Sequence, residues 1–171
     1  MLLKIFLTQL TGVYKKIEQE EQESIEDAAR LLAQALTANG QVYIHGFKEM
    51  EGIVSQAING PEPLKGLKKL YSGQYMVQAQ QRDRAIIFAR SATEKEAVAL
   101  AESLRGQHVP FVAVSQGVKP EDEGKPNLTE IADVHVDIKA VRGLPTLAAA
   151  LFAYQAIIMG VDEILREYEE E

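Results

Sequence analysis

Two short segments hold the side chains best suited to gripping an anionic ligand. Arg90-Ser91-Ala92-Thr93-Glu94 offers a fixed cation and two hydroxyls. It lies between an apolar run and a helix-forming stretch. A helix start there adds unpaired N–H groups and partial positive charge, the chemistry that holds phosphate. The second segment, Gly46-Phe47-Lys48-Glu49-Met50-Glu51, places Lys48 to meet an anion and two carboxylates to act as bases. His45, just before it, carries an imidazole suited to general acid or base work, and Glu62 is a further carboxylate downstream. Each of these residues has a structural role open to it as well. Thr93 can serve as a helix cap, Ser91 as a turn residue, Lys48 as a solvated lysine and His45 as a half-buried core histidine.

Other chemistries are disfavoured by composition. There is no cysteine among the 171 residues, which excludes disulfides, thiolate nucleophiles and cysteine-ligated metals. His45, His108 and His135 show no metal-ligand spacing, so no metal is expected. No glycine-rich dinucleotide fingerprint or P-loop is present, so no cofactor is expected either. The net charge of −7 argues against nucleic acid and anionic membranes as partners. The acidity is concentrated, however, in 18–27 and 163–171. The remainder holds 14 acids against 17 bases and does not repel a small anion. No apolar run approaches the roughly 20 residues of a membrane span, and Lys4 and Gln9 spoil the N-terminus as a signal peptide. A cytoplasmic protein is expected.

The elements that would position these segments alternate. Leu3, Leu7, Leu10, Tyr14 and Ile17 form one stripe of a first helix, over about 1–22. A polar helix end or loop follows, and Ser24 caps a second helix that ends at Asn39-Gly40. Strands are predicted at 41–46, weakly at 67–71, then at 85–89, 109–115 and 134–138. A helix over 49–59 stops at Gly60. Another opens on the capping box Thr93-Glu94-Lys95-Glu96 and stops at Gly106. A long alanine-rich helix begins at Thr146. The segment 72–81 gives no clear pattern. Alternating strands and helices indicate an α/β fold: a three-layer αβα sandwich around a five-stranded parallel sheet, flavodoxin-like, in one domain over 1–171. The strict alternation of Val134-His135-Val136-Asp137-Ile138 marks an edge strand. With strand order 2-1-3-4-5, a ligand sits where the order reverses, between the first and third strands. The loops at that point are 45–50 and 89–94, which overlap the two segments above.

These segments and their strands resemble the SIS (sugar isomerase) domain, in particular the single-domain phosphoheptose isomerase type. Asn39-Gly40-Gln41-Val42-Tyr43-Ile44-His45-Gly46 is similar to the first strand of such domains. The stretch from Asp83 to Thr93 is similar to their strand and serine-rich phosphate loop, Asp-x-x-x-x-x-Ser-Thr-Ser-Gly-Asn-Ser. The resemblance spans about Glu26 to Leu165 and is stronger in element order than in motif identity. A small family of uncharacterised bacterial proteins is closer still. Only Ser91 matches that loop directly, with Thr93 in place of an asparagine. Ala89, Arg90, Ala92 and Glu94 stand where the family has Ser, Thr, Gly and Ser. After the first strand the family has Gly-Asn-Gly-Gly-Ser, whose serine is here Met50. The family's catalytic glutamate falls at Gly60, two residues before Glu62. The helix from Thr146 lacks the family's catalytic histidine.

The resemblance implies a protein that binds a small anionic sugar phosphate through Ser91, Thr93, Arg90, Gly46 and Lys48. Any isomerase chemistry would fall to the substitutes Glu49, Glu51 or Glu62 as base and His45 as acid. The alternative is a catalytically silent SIS-fold metabolite sensor or partner-binding subunit. The resemblance also implies a homodimer or tetramer, and the N-terminal stripe is the expected contact.

Overall fold

A computed structural model describes residues 1–170. The chain opens with one continuous helix, α1 (Leu2–Thr37), where two helices and a break were expected. The acidic stretch is not a loop because it is tied to the far edge of the sheet. Glu21 is only 9% exposed, and its Oε2 accepts the Asp137 N–H at 3.1 Å. Lys139 Nζ lies 3.0 Å from carboxylate oxygens of both Glu20 and Glu21. Glutamate and glutamine are good helix formers, so nothing local breaks the helix once these partners are in place. Ser24 therefore sits inside α1 and caps nothing. At the far end, Asn39 (φ 56°) rather than Gly40 takes the left-handed conformation that stops the helix. Gly40 is needed for a different reason: a Cβ there would lie 2.6 Å from the Arg82 carbonyl oxygen.

The next elements are β1 (Val42–Gly46), a single 3-10 turn (Lys48–Met50), α2 (Glu51–Asn59) and β2 (Leu67–Lys69). A small antiparallel hairpin, β3 (Tyr71–Ser72) and β4 (Tyr75–Met76), occupies the segment that carried no sequence pattern. Then come β5 (Arg84–Ser91), α3 (Lys95–Gly106), β6 (Phe111–Gln116), the short α4 (Leu128–Ile131), β7 (Val134–Asp137) and α5 (Thr146–Glu170). The five-stranded sheet is parallel throughout, in the order β2-β1-β5-β6-β7. Leaving out the hairpin, this is the expected 2-1-3-4-5.

The strand at the sheet's centre shows why three layers form. Alternate residues of β5 enter opposite cores. Ile86 and Phe88 join Leu32 of α1, Ile53 of α2 and Ile157 of α5. Ala85, Ile87 and Ala89 join Leu100 and Leu104 of α3 and Leu128 of α4. All of Ala85 to Ala89 are fully buried. Each large apolar side chain so placed contributes roughly 1.5–3 kcal/mol relative to exposure. β7 is the expected edge strand, with Val136 and Ile138 turned to the α1 side. On its other face His135 Nε2 lies 2.9 Å from the buried Ser115 Oγ.

α5 is long and apolar enough, by length and composition, to cross a membrane. Its apolar face is instead packed into the core: Ala149, Ala150, Ala153, Tyr154, Ile157, Ile158 and Val161 are buried. Gly160 lets it approach α1 closely, since a Cβ there would lie 2.9 Å from the Ala29 Cβ. The N-terminal stripe divides in two. Ile17 is buried and the Tyr14 ring stacks on Phe152 with centroids 4.4 Å apart. Leu3 and Leu7 are 76% and 60% exposed.

Candidate functional site

β1 and β5 lie side by side, with Gly46 in register with Phe88, so their outgoing loops meet at the switch point. The Phe47 N–H donates to the Phe88 carbonyl at 3.0 Å and joins the loops at their base. Beyond it, Lys48 has φ 53°, a left-handed conformation that costs a non-glycine residue of order 1 kcal/mol or more. Gly46 is buried with its Cα against the Met50 carbonyl, so a Cβ would collide there. On the other side, the pairing of β5 with β6 shifts register between Phe88 and Ser91. Such an irregularity re-aims the residues it contains.

Every side-chain donor that the sequence assigned to phosphate already has a polar partner. Arg90 is bidentate on Glu49, with Nε to Oε1 and Nη2 to Oε2 both at 2.8 Å. Thr146 of α5 donates to the same Oε1 at 2.6 Å. The Arg90 hydrogen bond, with help from Thr146, lowers the Glu49 carboxyl to about 2. That makes Glu49 a poor general base near neutral pH. The Glu94 carboxylate accepts the Arg90 backbone N–H at 3.1 Å and pairs with Lys48 Nζ at 3.2 Å. Its side chain is only 8% exposed.

The capping box does not form. Glu94, not Thr93, is the residue before α3, and no side chain caps that helix. Thr93 is drawn away: its hydroxyl donates to Asp122 Oδ2 at 3.3 Å and lies 3.2 Å from Ser91 Oγ. Ser91 Oγ in turn accepts the Thr93 N–H at 3.3 Å. Asp122 is held ionised chiefly by its hydrogen bond from Lys125.

Arg90, Ser91, Thr93, Lys48, Glu49 and Gly46 are thus brought together. His45 stands beside them at the end of β1, edge-on to Phe47 and tilted against Tyr71, each at 4.6 Å between centroids. Burial pushes its pKa down, and nearby Glu51 partly opposes this. Glu62 is elsewhere, in the exposed turn beyond α2, with the whole of that helix between it and Glu51. Asp83, which opens the loop pattern of the resemblance, has a structural role: it accepts the Gln41 and Gln80 N–H groups at 2.9 and 2.7 Å. Glu94, Asp122 and Thr146 were not among the expected site residues. Glu94 was visible only as a departure from a serine, and the other two are brought in by elements far along the chain.

Comparison with known proteins agrees with this architecture. The family described as "Domain of unknown function (DUF2529)" matches residues 1–165. The uncharacterised protein YwjG of Bacillus subtilis is 32% identical over 178 residues, covering 98% of this chain and 99% of that protein. Among solved structures, the phosphoheptose isomerase GmhA of Neisseria gonorrhoeae superposes with a TM-score of 0.69 at 10% identity, covering 94% of this chain and 97% of that one. The protein MJ1247 of Methanococcus jannaschii, whose structure infers a 3-hexulose-6-phosphate isomerase function, gives 0.69 at 11% identity, covering 99% and 92%. At such identities the likeness establishes the SIS fold.

Proposed function

The chain belongs to the DUF2529 family, and on its SIS fold we propose a binding protein for a small anionic sugar phosphate that lacks the isomerase reaction. One observation carries the reading. The Glu94 carboxylate, held by the Arg90 N–H and the Lys48 ammonium before a helix, is an anion seated in an anion site. A phosphate at this position would take over the same two donors and gain the Ser91 and Thr93 hydroxyls as Glu94 swings away. Gly46 contributes space, since its missing Cβ lets the loop fold back on β1. The SIS-fold likeness to GmhA and MJ1247 supports the sugar-phosphate class.

The chemistry of isomerisation is not supported. It needs a base for a proton on carbon and an acid at the carbonyl. Glu49 is tied to Arg90 and Thr146, Glu62 is remote, and Glu51 and His45 line a neighbouring cleft against Lys69 and Tyr71 rather than the phosphate loop. A single cytoplasmic domain over 1–171, assembled as a homodimer through the exposed start of α1, completes the reading.

A thermal-shift panel of sugar phosphates tests it. Ligand at 100 times its dissociation constant should stabilise the fold by roughly 2.7 kcal/mol. The Ser91→Ala, Thr93→Ala double variant should lose roughly ten- to a hundredfold in affinity. Unchanged affinity in that variant rejects the site, and turnover of sedoheptulose 7-phosphate near 1 per second, at the low end for enzymes, rejects the silence. A second reading, a partner-binding subunit with no small ligand, is favoured by the carboxylates that fill the site. It predicts no shift with any sugar phosphate.

A further inference from the structure

The neighbouring strand ends show the opposite situation. A cleft of about 370 Å³ lies along α2 between β1 and the β2–β3 segment, on the far side of β1 from Arg90. Its polar wall is one face of α2: Glu51, Ser55 and Asn59, at successive four-residue steps. Ile53 and Ala57 are buried, so this stripe stands opposite the helix's core contact. Facing it are Lys69, next in register to Ile44 of β1, and the half-buried Tyr71. His45 closes the end.

None of Glu51, Ser55, Asn59, Lys69, His45 or Tyr71 makes a side-chain hydrogen bond or ion pair among the described residues, whereas the switch-point side chains are all paired. The imidazole matters most. It is half-buried, wedged between Phe47 and Tyr71, and neither ring nitrogen has a protein partner. A half-buried polar group in that position is completed by solvent or by a ligand.

We propose that this cleft is a second binding site, for a small polyhydroxylated acid. Lys69 takes the acid group. Glu51 and Asn59 take hydroxyls, since a carboxylate accepts only and an amide both donates and accepts. Ser55 and a neutral His45 supply further partners, and the Tyr71 ring offers a flat face for the carbon chain. The volume is at the small end of ligand sites, which limits the occupant to roughly a single sugar unit. The assignment does not depend on phosphate binding at Glu94.

Calorimetry of the full chain with D-gluconate is the test, with inorganic phosphate titrated in parallel. Saturable gluconate binding is expected, weakened about tenfold or more by Lys69→Met and left unchanged by Glu94→Gln. Ser55→Leu, on the exposed face of α2, fills the cleft without touching the core and should abolish binding with the melting temperature retained. Absence of saturable gluconate binding at millimolar concentration overturns the proposal. So does gluconate binding that both Lys69→Met and Ser55→Leu leave intact. Phosphate binding sensitive to Glu94→Gln but not to Lys69→Met reports on the switch-point loop alone.

Discussion

Arg90 and Glu49 grip each other through two parallel hydrogen bonds of 2.8 Å, and Thr146 locks the second partner in place. One carboxylate therefore connects the end of β5, the turn after β1 and the start of α5. The guanidinium is more than half exposed, so water weakens the charge attraction. Geometry gives the pair its value: bidentate, and with a third donor from another element.

Glu49→Gln should destabilise the fold by about 1 kcal/mol, the scale of a well-formed but partly solvated pair. Urea unfolding measures it. Thr146→Val should cost less, and the double variant should cost less than the two losses added, because both remove bonds to one carboxylate. Strict additivity would show that the three groups do not act together.

Removing the internal anion should expose the site it fills. Glu94→Gln keeps the size of the side chain and discards its charge, which frees Lys48 and weakens the hold on the Arg90 N–H. Sugar-phosphate affinity should rise by about tenfold, the inverse of one lost charged hydrogen bond. Calorimetry on the variant and the parent decides the matter. Equal or weaker binding in the variant would mean that Glu94 supports the loop rather than competing for it.

Two histidines set an acid limit on stability. Burial pushes the pKa of both His45 and His135 below 6.5; near His135, Asp137 and Glu21 oppose the shift and Lys139 adds to it. The unfolded chain then takes up protons at 6.5 while the folded one resists, so stability rises with pH through that window and falls as pH drops below it. Glu49 titrates lower: its contribution is complete above 4.5, declines as pH falls below that value and is gone once pH passes about 2. Urea midpoints taken downward from neutrality should decline, and His135→Gln should flatten the decline even though it loses the Ser115 contact. An unaltered slope in that variant would remove His135 from the account.

The sheet order and both switch-point loops were legible because their signals are local: apolar runs at Ala85–Ala89 and 111–114, and glycine or proline between them. What escaped depends on partners distant in sequence. Nothing near Glu21 announces that Asp137 and Lys139 will hold it, so an acidic run read as a break proved to be mid-helix. Thr93 has every feature of a cap except an unclaimed hydroxyl, and its claimant, Asp122, is 29 residues away. The stripe Glu51, Ser55, Asn59 was readable by its spacing, but its meaning appears only once Lys69 and Tyr71 face it.

The exposed start of α1 should be covered in solution. Leu3, Leu7 and their neighbours Leu2, Ile5 and Phe6 leave an apolar end that a soluble monomer rarely carries. Light scattering at micromolar concentration should give at least twice 18.9 kDa. Leu7→Asp should reduce it to the monomer without unfolding the chain, since Val13 and Ile17 keep the rest of α1 seated. A monomer in the parent protein, or a dimer indifferent to Leu7→Asp, would rule this interface out.

The packing of α1 on α5 separates the two faces of the sheet in time as the chain is made. The face under α3 and α4 can be covered as soon as residue 131 has emerged. The other waits for α5, because Ala28, Ala29 and Leu32 of α1 share their core with Ala153, Ile157 and Val161. About 110 residues separate the end of α1 from Thr146, which at ribosomal speeds takes roughly 5–20 s. From residue 131 until α5 has emerged, one side of the nascent sheet is finished and the other still lacks its α5 layer. A chain stalled before Thr146 would present that side to chaperones, and a folding reporter fused behind successive lengths should switch on only when α5 has cleared the exit tunnel.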